Sequence, residues 1–195
     1  MAHSKALLEE SQATLIASLL EGCGYPHPVA SCELLETHIS WVILSGDFAY
    51  KIKKSVRLDF LDFSSLPKRR HFCEEELRLN RRFAPELYLE VVPICGSAED
   101  PAIGGSGRAI EYALKMVQFP QSARLDQQLK EGLLQDEDVV DLAETVARYH
   151  TAATVIEYAD ERESVQKVRA PMLENFAPLR QVIDMDLLTR VQRWT

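Results

Sequence analysis

The 195-residue sequence predicts an α+β fold: an antiparallel sheet with one helix packed on it, followed by a helical region. Two observations carry that prediction. Hydrophobic periodicity gives the order helix, three strands, helix, two strands, helices, so one long helix follows the third of five strands and there is no βαβ alternation. The composition, 46% hydrophobic and 27% charged, is that of an ordinary globular protein long enough to bury a real core.

The first helix is expected from Ser11 to Glu21, with Leu15, Ile16, Leu19 and Leu20 on one side and "GCG" as its stop. "YPHP" reads as a linker. "SCELLETHISWVILSGDFAYKIKK" reads as strand pieces, with Gly46-Asp47 as a two-residue hairpin turn. "SVRLDFLDFSSL" reads as an irregular connection. Ser64 and Ser65 before Pro67 mark a helix start, and Pro85 stops that helix near Ala84. "LYLEVVPI" and "AIEYALKMVQF" are strands around the polar turn "CGSAEDPAIGGSGR". A short helix around Leu125 to Glu131 and a longer one from Glu137 to Ala152 follow. Val139, Leu142, Val146 and Tyr149 recur at helical spacing in the second. The tail to Thr195 reads as helical but weakly patterned.

The net charge of −8 argues against a general nucleic-acid binder. The segment Lys51 to Arg82 nevertheless holds ten basic and five acidic residues. A basic stretch in an acidic chain suits either a small anionic ligand or a solvated helix face. Cys23, Cys32, Cys73 and Cys95 form no C-x-x-C pair, which suggests scattered buried thiols in a reducing compartment. No signal peptide or membrane-length apolar run is visible, so a cytoplasmic protein without membrane partners is expected.

"FAYKIKK" places lysines in a strand, where they are disfavoured. Alternation puts Phe48, Tyr50 and Ile52 on one face, expected to pack inward under the one helix on the sheet. Ala49, Lys51 and Lys53 take the other, with room for a flat ligand over Ala49. In "LPKRRHFCEEELRLNRRF", Glu76 shares a helix face with Phe72, Cys73, Leu79 and Phe83, whereas Glu74 belongs with Arg70, Arg78 and Arg81 on the wet side. Glu76 is therefore the carboxylate aimed at the sheet. Lys51 is its candidate partner, and water or a neighbouring Arg is the alternative. "KRR" at Lys68 to Arg70 reads as a solvated charge run, and Trp41 as a sheet-packing residue.

These residues, in this order, resemble the N-terminal lobe of the protein-kinase-like fold, in its aminoglycoside-phosphotransferase-like branch. "FAYK" is similar to that fold's V-A-I-K strand, with Ala49 and Lys51 as its Ala and Lys. Glu76 matches the helix glutamate, and "EYALKMVQFP" looks like the fifth strand and hinge. Over Glu33 to Ala153 the chain is similar to bacterial proteins that join a phosphotransferase-like domain to a C-terminal P-loop ATPase domain. "LLETHISWV" stands where protein kinases carry a Gly-rich loop. No His-Gly-Asp loop, later metal-binding Asp or G-x-x-x-x-G-K-[ST] occurs, so the chain is expected to be the N-terminal part of a longer protein.

The resemblance implies a five-stranded lobe over 29-120, an N-terminal helix and linker over 1-28, and a hinge with a partial helical C-lobe over 121-195. It implies ATP and magnesium as cofactors, with the metal ligands outside this chain, and an unidentified small-molecule acceptor. Lys51 would contact the nucleotide phosphates and Glu76 would fix it. Val42 and Ala49 would roof the adenine, Met116 would line its site, and the backbone of Val117 to Phe119 would bind its edge. Lys53 is the alternative phosphate ligand. The full-length protein would be an ATP-dependent transferase and this part alone inactive. The other reading is a kinase-like ligand-binding or regulatory module of a fused ATPase. Met116, Phe119, Val146 and Tyr149 are expected to be exposed without the missing lobe. That predicts a homodimer that exchanges C-terminal helices across Pro120 to Arg124, or else a monomer whose tail, 170–195, covers the same surface.

Overall fold

Two hairpins begin the sheet. β1 (Cys32–Glu36), β2 (Ser40–Ser45) and β3 (Phe48–Lys53) form an antiparallel meander, and Leu35 lies opposite Val42 while Val42 lies opposite Lys51. The computed structural model describes residues 2–58, 60–157, 160–180 and 183–194, leaving aside the side chains of residues 2–9 and 177. The β2–β3 turn is the expected one: Gly46 has φ +58°, a conformation that costs glycine little and other residues much. The β1–β2 turn needs no glycine. Thr37 Oγ1 accepts from the Ser40 N–H at 3.0 Å, and the Thr37 N–H donates to the Ser40 carbonyl at 2.9 Å.

"SVRLDFLDFSSL" is more ordered than expected, because β4 (Arg57–Leu58) and β5 (Leu61–Asp62) make a small separate hairpin. Helix α2 (Leu66–Asn80) then starts with Pro67 in its first turn, where no backbone N–H is needed. β6 (Tyr88–Gly96), β7 (Pro101–Ile103) and β8 (Glu111–Val117) complete the sheet, with strand order β1-β2-β3-β8-β6-β7. Among the described residues the main sheet thus has six strands, where five are expected. The sixth, β7, lies inside the stretch that reads as a polar turn. After a 3-10 turn at Gln121–Ala123 come α3 (Leu125–Lys130) and α4 (Asp136–Ala152).

The largest departure concerns the N-terminus. Helix α1 spans Ala2–Leu20 and is an integral part of the core. Leu15, Ile16 and Leu19 pack on Ile43, Tyr50, Ile52, Val92, Ile94 and Ala113. The apolar face of β3 is therefore covered by α1, while α2 meets the opposite face, so the sheet carries a helix on each side. Gly24 ties the chain after α1 to β7: its carbonyl accepts from the Ile103 N–H at 2.8 Å, and a Cβ on it would sit 2.0 Å from the Pro101 carbonyl oxygen. The "YPHP" linker is likewise docked, with His27 Nε2 3.0 Å from the Tyr50 hydroxyl. Cys73 and Cys95 are buried as expected, Cys32 is half-buried and Cys23 is exposed.

The chain divides into two compact units, residues 1–149 and 150–195. The second holds α5 (Glu161–Glu174), α6 (Phe176–Leu179) and α7 (Met185–Trp194). Asp160 caps α5 by accepting from the Glu163 N–H at 2.8 Å, and Phe176 and Leu188 are buried. No described helix is long and apolar enough to cross a membrane.

Candidate functional site

Strand alternation and helix period bring Lys51, Lys53 and Glu76 together. Lys51 Nζ donates to Glu76 Oε1 at 2.6 Å, and Lys53 Nζ donates to Glu76 Oε2 at 2.6 Å. Glu76 is thus the carboxylate that faces the sheet, and the alternative of solvent or a neighbouring Arg does not hold. Glu74 and Glu75 point outward, the first to Arg70 and the second to Arg78. Burial pushes the Glu76 carboxyl up, but the two ammonium groups outweigh it and hold the group below its ordinary value. Asn80 Nδ2 donates to the Glu76 carbonyl at 2.8 Å and steadies the last turn of α2.

The two lysines differ in access. The Lys51 side chain keeps 29% of its exposure and lines a cavity of about 530 Å³, whereas the Lys53 side chain keeps 5% and does not reach that cavity. Lys53 sits 4.8 Å above the centre of the Phe63 ring. It is therefore a buried partner of Glu76, and the expectation that it could be an alternative ligand in the cavity is corrected.

Val42, Ala49, Lys51, Met116, Val117 and Phe119 all line the cavity. Glu76 does not line it but stands behind Lys51. Short side chains on β2 and β3 make one wall, with Val42 and Ala49 opposite Lys51 and Met116 in the strand register. The far wall comes from the corner between α2 and β6: Asn80, Phe83, Ala84, Leu87 and Tyr88. Arg81 Nε holds that corner by donating to the Tyr88 carbonyl at 2.8 Å. The Phe83 ring stacks on Tyr149, with centroids 3.8 Å apart. Of the apolar side chains expected to be exposed, Phe119 and Val146 are, whereas Met116 is half-buried at the cavity.

Of the backbone N–H groups of Val117, Gln118 and Phe119, one is free among the described residues. The Val117 N–H is committed to the Leu87 carbonyl and the Gln118 N–H to the Asp47 carbonyl, both at 2.9 Å. The Phe119 N–H has no hydrogen-bond partner among the described residues. Of the three backbone positions expected to bind a ligand edge, two amides are thus already used.

Sequence reasoning missed several wall residues. Leu44 is two positions from Val42 and Leu35 lies opposite it, so alternation could have found both. It also misread Arg69. The guanidinium is buried, not solvated: Arg69 Nε donates to both Glu111 oxygens at 3.0 Å and its Nη1 to the Phe63 carbonyl at 3.0 Å. Gln12 of α1 joins this group, donating to Glu111 Oε2 at 2.7 Å and to the Lys53 carbonyl at 3.1 Å. No local pattern announces a pair 42 positions apart. The Cys73 thiol lies on the buried face of α2, and burial pushes its pKa up to about 12.

Chemically, the arrangement is an apolar slot with one wet ammonium at one side. One carboxylate serves two ammonium groups, so the set carries a surplus positive charge, and only Lys51 presents it to the cavity. That suits a flat apolar body with an anionic arm. No family model matches the chain, and no solved structure matches it. The chain is similar to uncharacterized proteins of Mycobacterium tuberculosis and Mycobacterium bovis, 32% identical over 173 residues that make up 85% of this chain. It spans about a third of the length of these curated relatives, since the matched part covers 33% of each.

Proposed function

We propose that this chain is the nucleotide-binding part of a kinase-like phosphotransferase. The observation that carries the reading is the position of Lys51: its ammonium lies on Glu76 from α2 and opens into the slot walled by Val42, Ala49 and Met116. An adenine fits between those side chains, where apolar contact and the free Phe119 N–H would hold it. The phosphates would then reach Lys51, which neutralises part of their charge. In this reading the chain positions ATP and stabilises charge, which is most of what phosphoryl transfer asks of a protein. The magnesium ligands, the acceptor site and the catalytic carboxylate of this reading would lie outside this chain.

A second reading keeps the same pocket without transfer, as a ligand-sensing module of a fused ATPase. Calorimetry with ADP and with adenosine tests what both readings share. ADP should bind to the wild-type chain, and Lys51→Met should weaken ADP at least about tenfold while sparing adenosine. No binding of either ligand would overturn both readings.

A further inference from the structure

Lys53 has no place in that account, yet it is built in with care. A buried ammonium is costly unless paired and hydrogen-bonded. Here Nζ takes Glu76 Oε2 at the same 2.6 Å at which Lys51 takes Oε1. The Phe63 ring covers the Lys53 ammonium, and the Lys53 carbonyl is gripped by Gln12 Nε2 at 3.1 Å. Gln12 Oε1 in turn accepts from the Ser55 N–H at 2.9 Å, and its amide is anchored on Glu111, which is held by Arg69. Lys53 is thus fixed from its backbone and its tip. A lone Lys51–Glu76 pair would be neutral, with both carboxylate oxygens free to hold the Lys51 ammonium. With Lys53 on one oxygen, Glu76 can offer Lys51 only the other, and the trio keeps a net positive charge.

We propose that Lys53 is a positioning residue for anion binding: by occupying half of Glu76 it leaves Lys51 with uncompensated charge for a phosphate-bearing ligand in the cavity. This rests on the nucleotide reading above. The charge count separates the role from a merely structural one. Lys53→Met makes the trio neutral. The double variant Lys53→Met/Glu76→Gln restores one net positive charge, on Lys51, and leaves two neutral side chains facing each other.

The experiment is calorimetric titration of ADP and of adenosine into the full 195-residue chain and each variant, with circular dichroism confirming the fold. Lys53→Met should weaken ADP at least about tenfold and leave adenosine unchanged, because only the phosphates meet the lost charge. The double variant should recover most of the ADP affinity. If Lys53→Met does not fold, the double variant is compared with Glu76→Gln: with no carboxylate left to occupy, removing Lys53 should change ADP affinity by less than about twofold, and a loss of about tenfold there would overturn the proposal. Equal loss of ADP and adenosine, or a double variant no better than the single one, would overturn the proposal and leave the pocket reading intact. A wild-type chain that binds neither ligand would end the pocket reading, and this proposal with it.

Discussion

The two faces of the sheet are covered by helices of opposite character. Under α1 lie Ile43, Tyr50, Ile52, Val92 and Ile94, all buried and apolar, and Leu15, Ile16 and Leu19 close over them. Under α2 lie Lys51 and Lys53, which meet Glu76, beside a cavity that stays open. Burial stabilises the first face, and nothing there is available to a ligand. The second face keeps charge and empty volume that a packed core would exclude. The lesson is a division within one strand: alternate residues of β3 face a packed core and an open cavity. The Arg69–Glu111–Gln12 network joins the two where β3 ends and β8 begins.

Breaking that junction should have the largest effect. Glu111→Leu leaves the Arg69 guanidinium buried without its carboxylate and should cost about 3–5 kcal/mol in urea unfolding. Arg69→Met/Glu111→Leu should recover much of it, since removing both charges leaves no orphan. On the apolar face, Leu19→Ala removes a fully buried side chain and should cost about 3 kcal/mol, without changing ADP affinity in the folded fraction. On the cavity face the balance reverses. Ala49→Leu fills the slot and should change stability by less than about 1.5 kcal/mol, while ADP and adenosine binding both fall at least about tenfold.

Acid should also distinguish the faces. The Glu76 carboxyl lies below its ordinary value when folded, so its stabilisation is complete above the unfolded range, near about 4.3, and is lost as pH falls through the folded value. The stability gap between wild type and Glu76→Gln should therefore narrow as unfolding is followed below about pH 4.3. The apolar face has no such dependence, and Leu19→Ala should cost the same across that range.

The cavity face is more legible in the sequence than the face under α1. Alternation in "FAYKIK" and the helical spacing of Glu76 are local patterns that make Glu76 a candidate partner of Lys51, and the resemblance of "FAYK" to a known strand adds what the patterns alone leave open. Leu15, Ile16 and Leu19 were equally visible as a stripe, but a stripe does not say which sheet face it will cover. The apolar trio of β3 is therefore expected under the one helix packed on the sheet, whereas α1 covers it. β7 is hidden because a strand of three residues, Pro101–Ile103, carries too little periodicity to show. Arg69 was misread because its neighbours Lys68 and Arg70 are solvent-facing, and only the distant Glu111 and Gln12 explain its burial. Long-range polar pairs leave no local trace in one sequence.

The central claim is that the face under α2, with Lys51 at its edge, receives a nucleotide. Amide chemical-shift mapping of the 195-residue chain during titration with ADP tests it most directly. The account predicts saturable shifts at Val42, Ala49, Lys51, Met116 and Phe119, with the Phe119 amide moving downfield as it gains an acceptor, and silence at Leu15, Ile16 and Leu19. Shifts confined to the α1 face, or a spectrum unchanged by millimolar ADP, would contradict it.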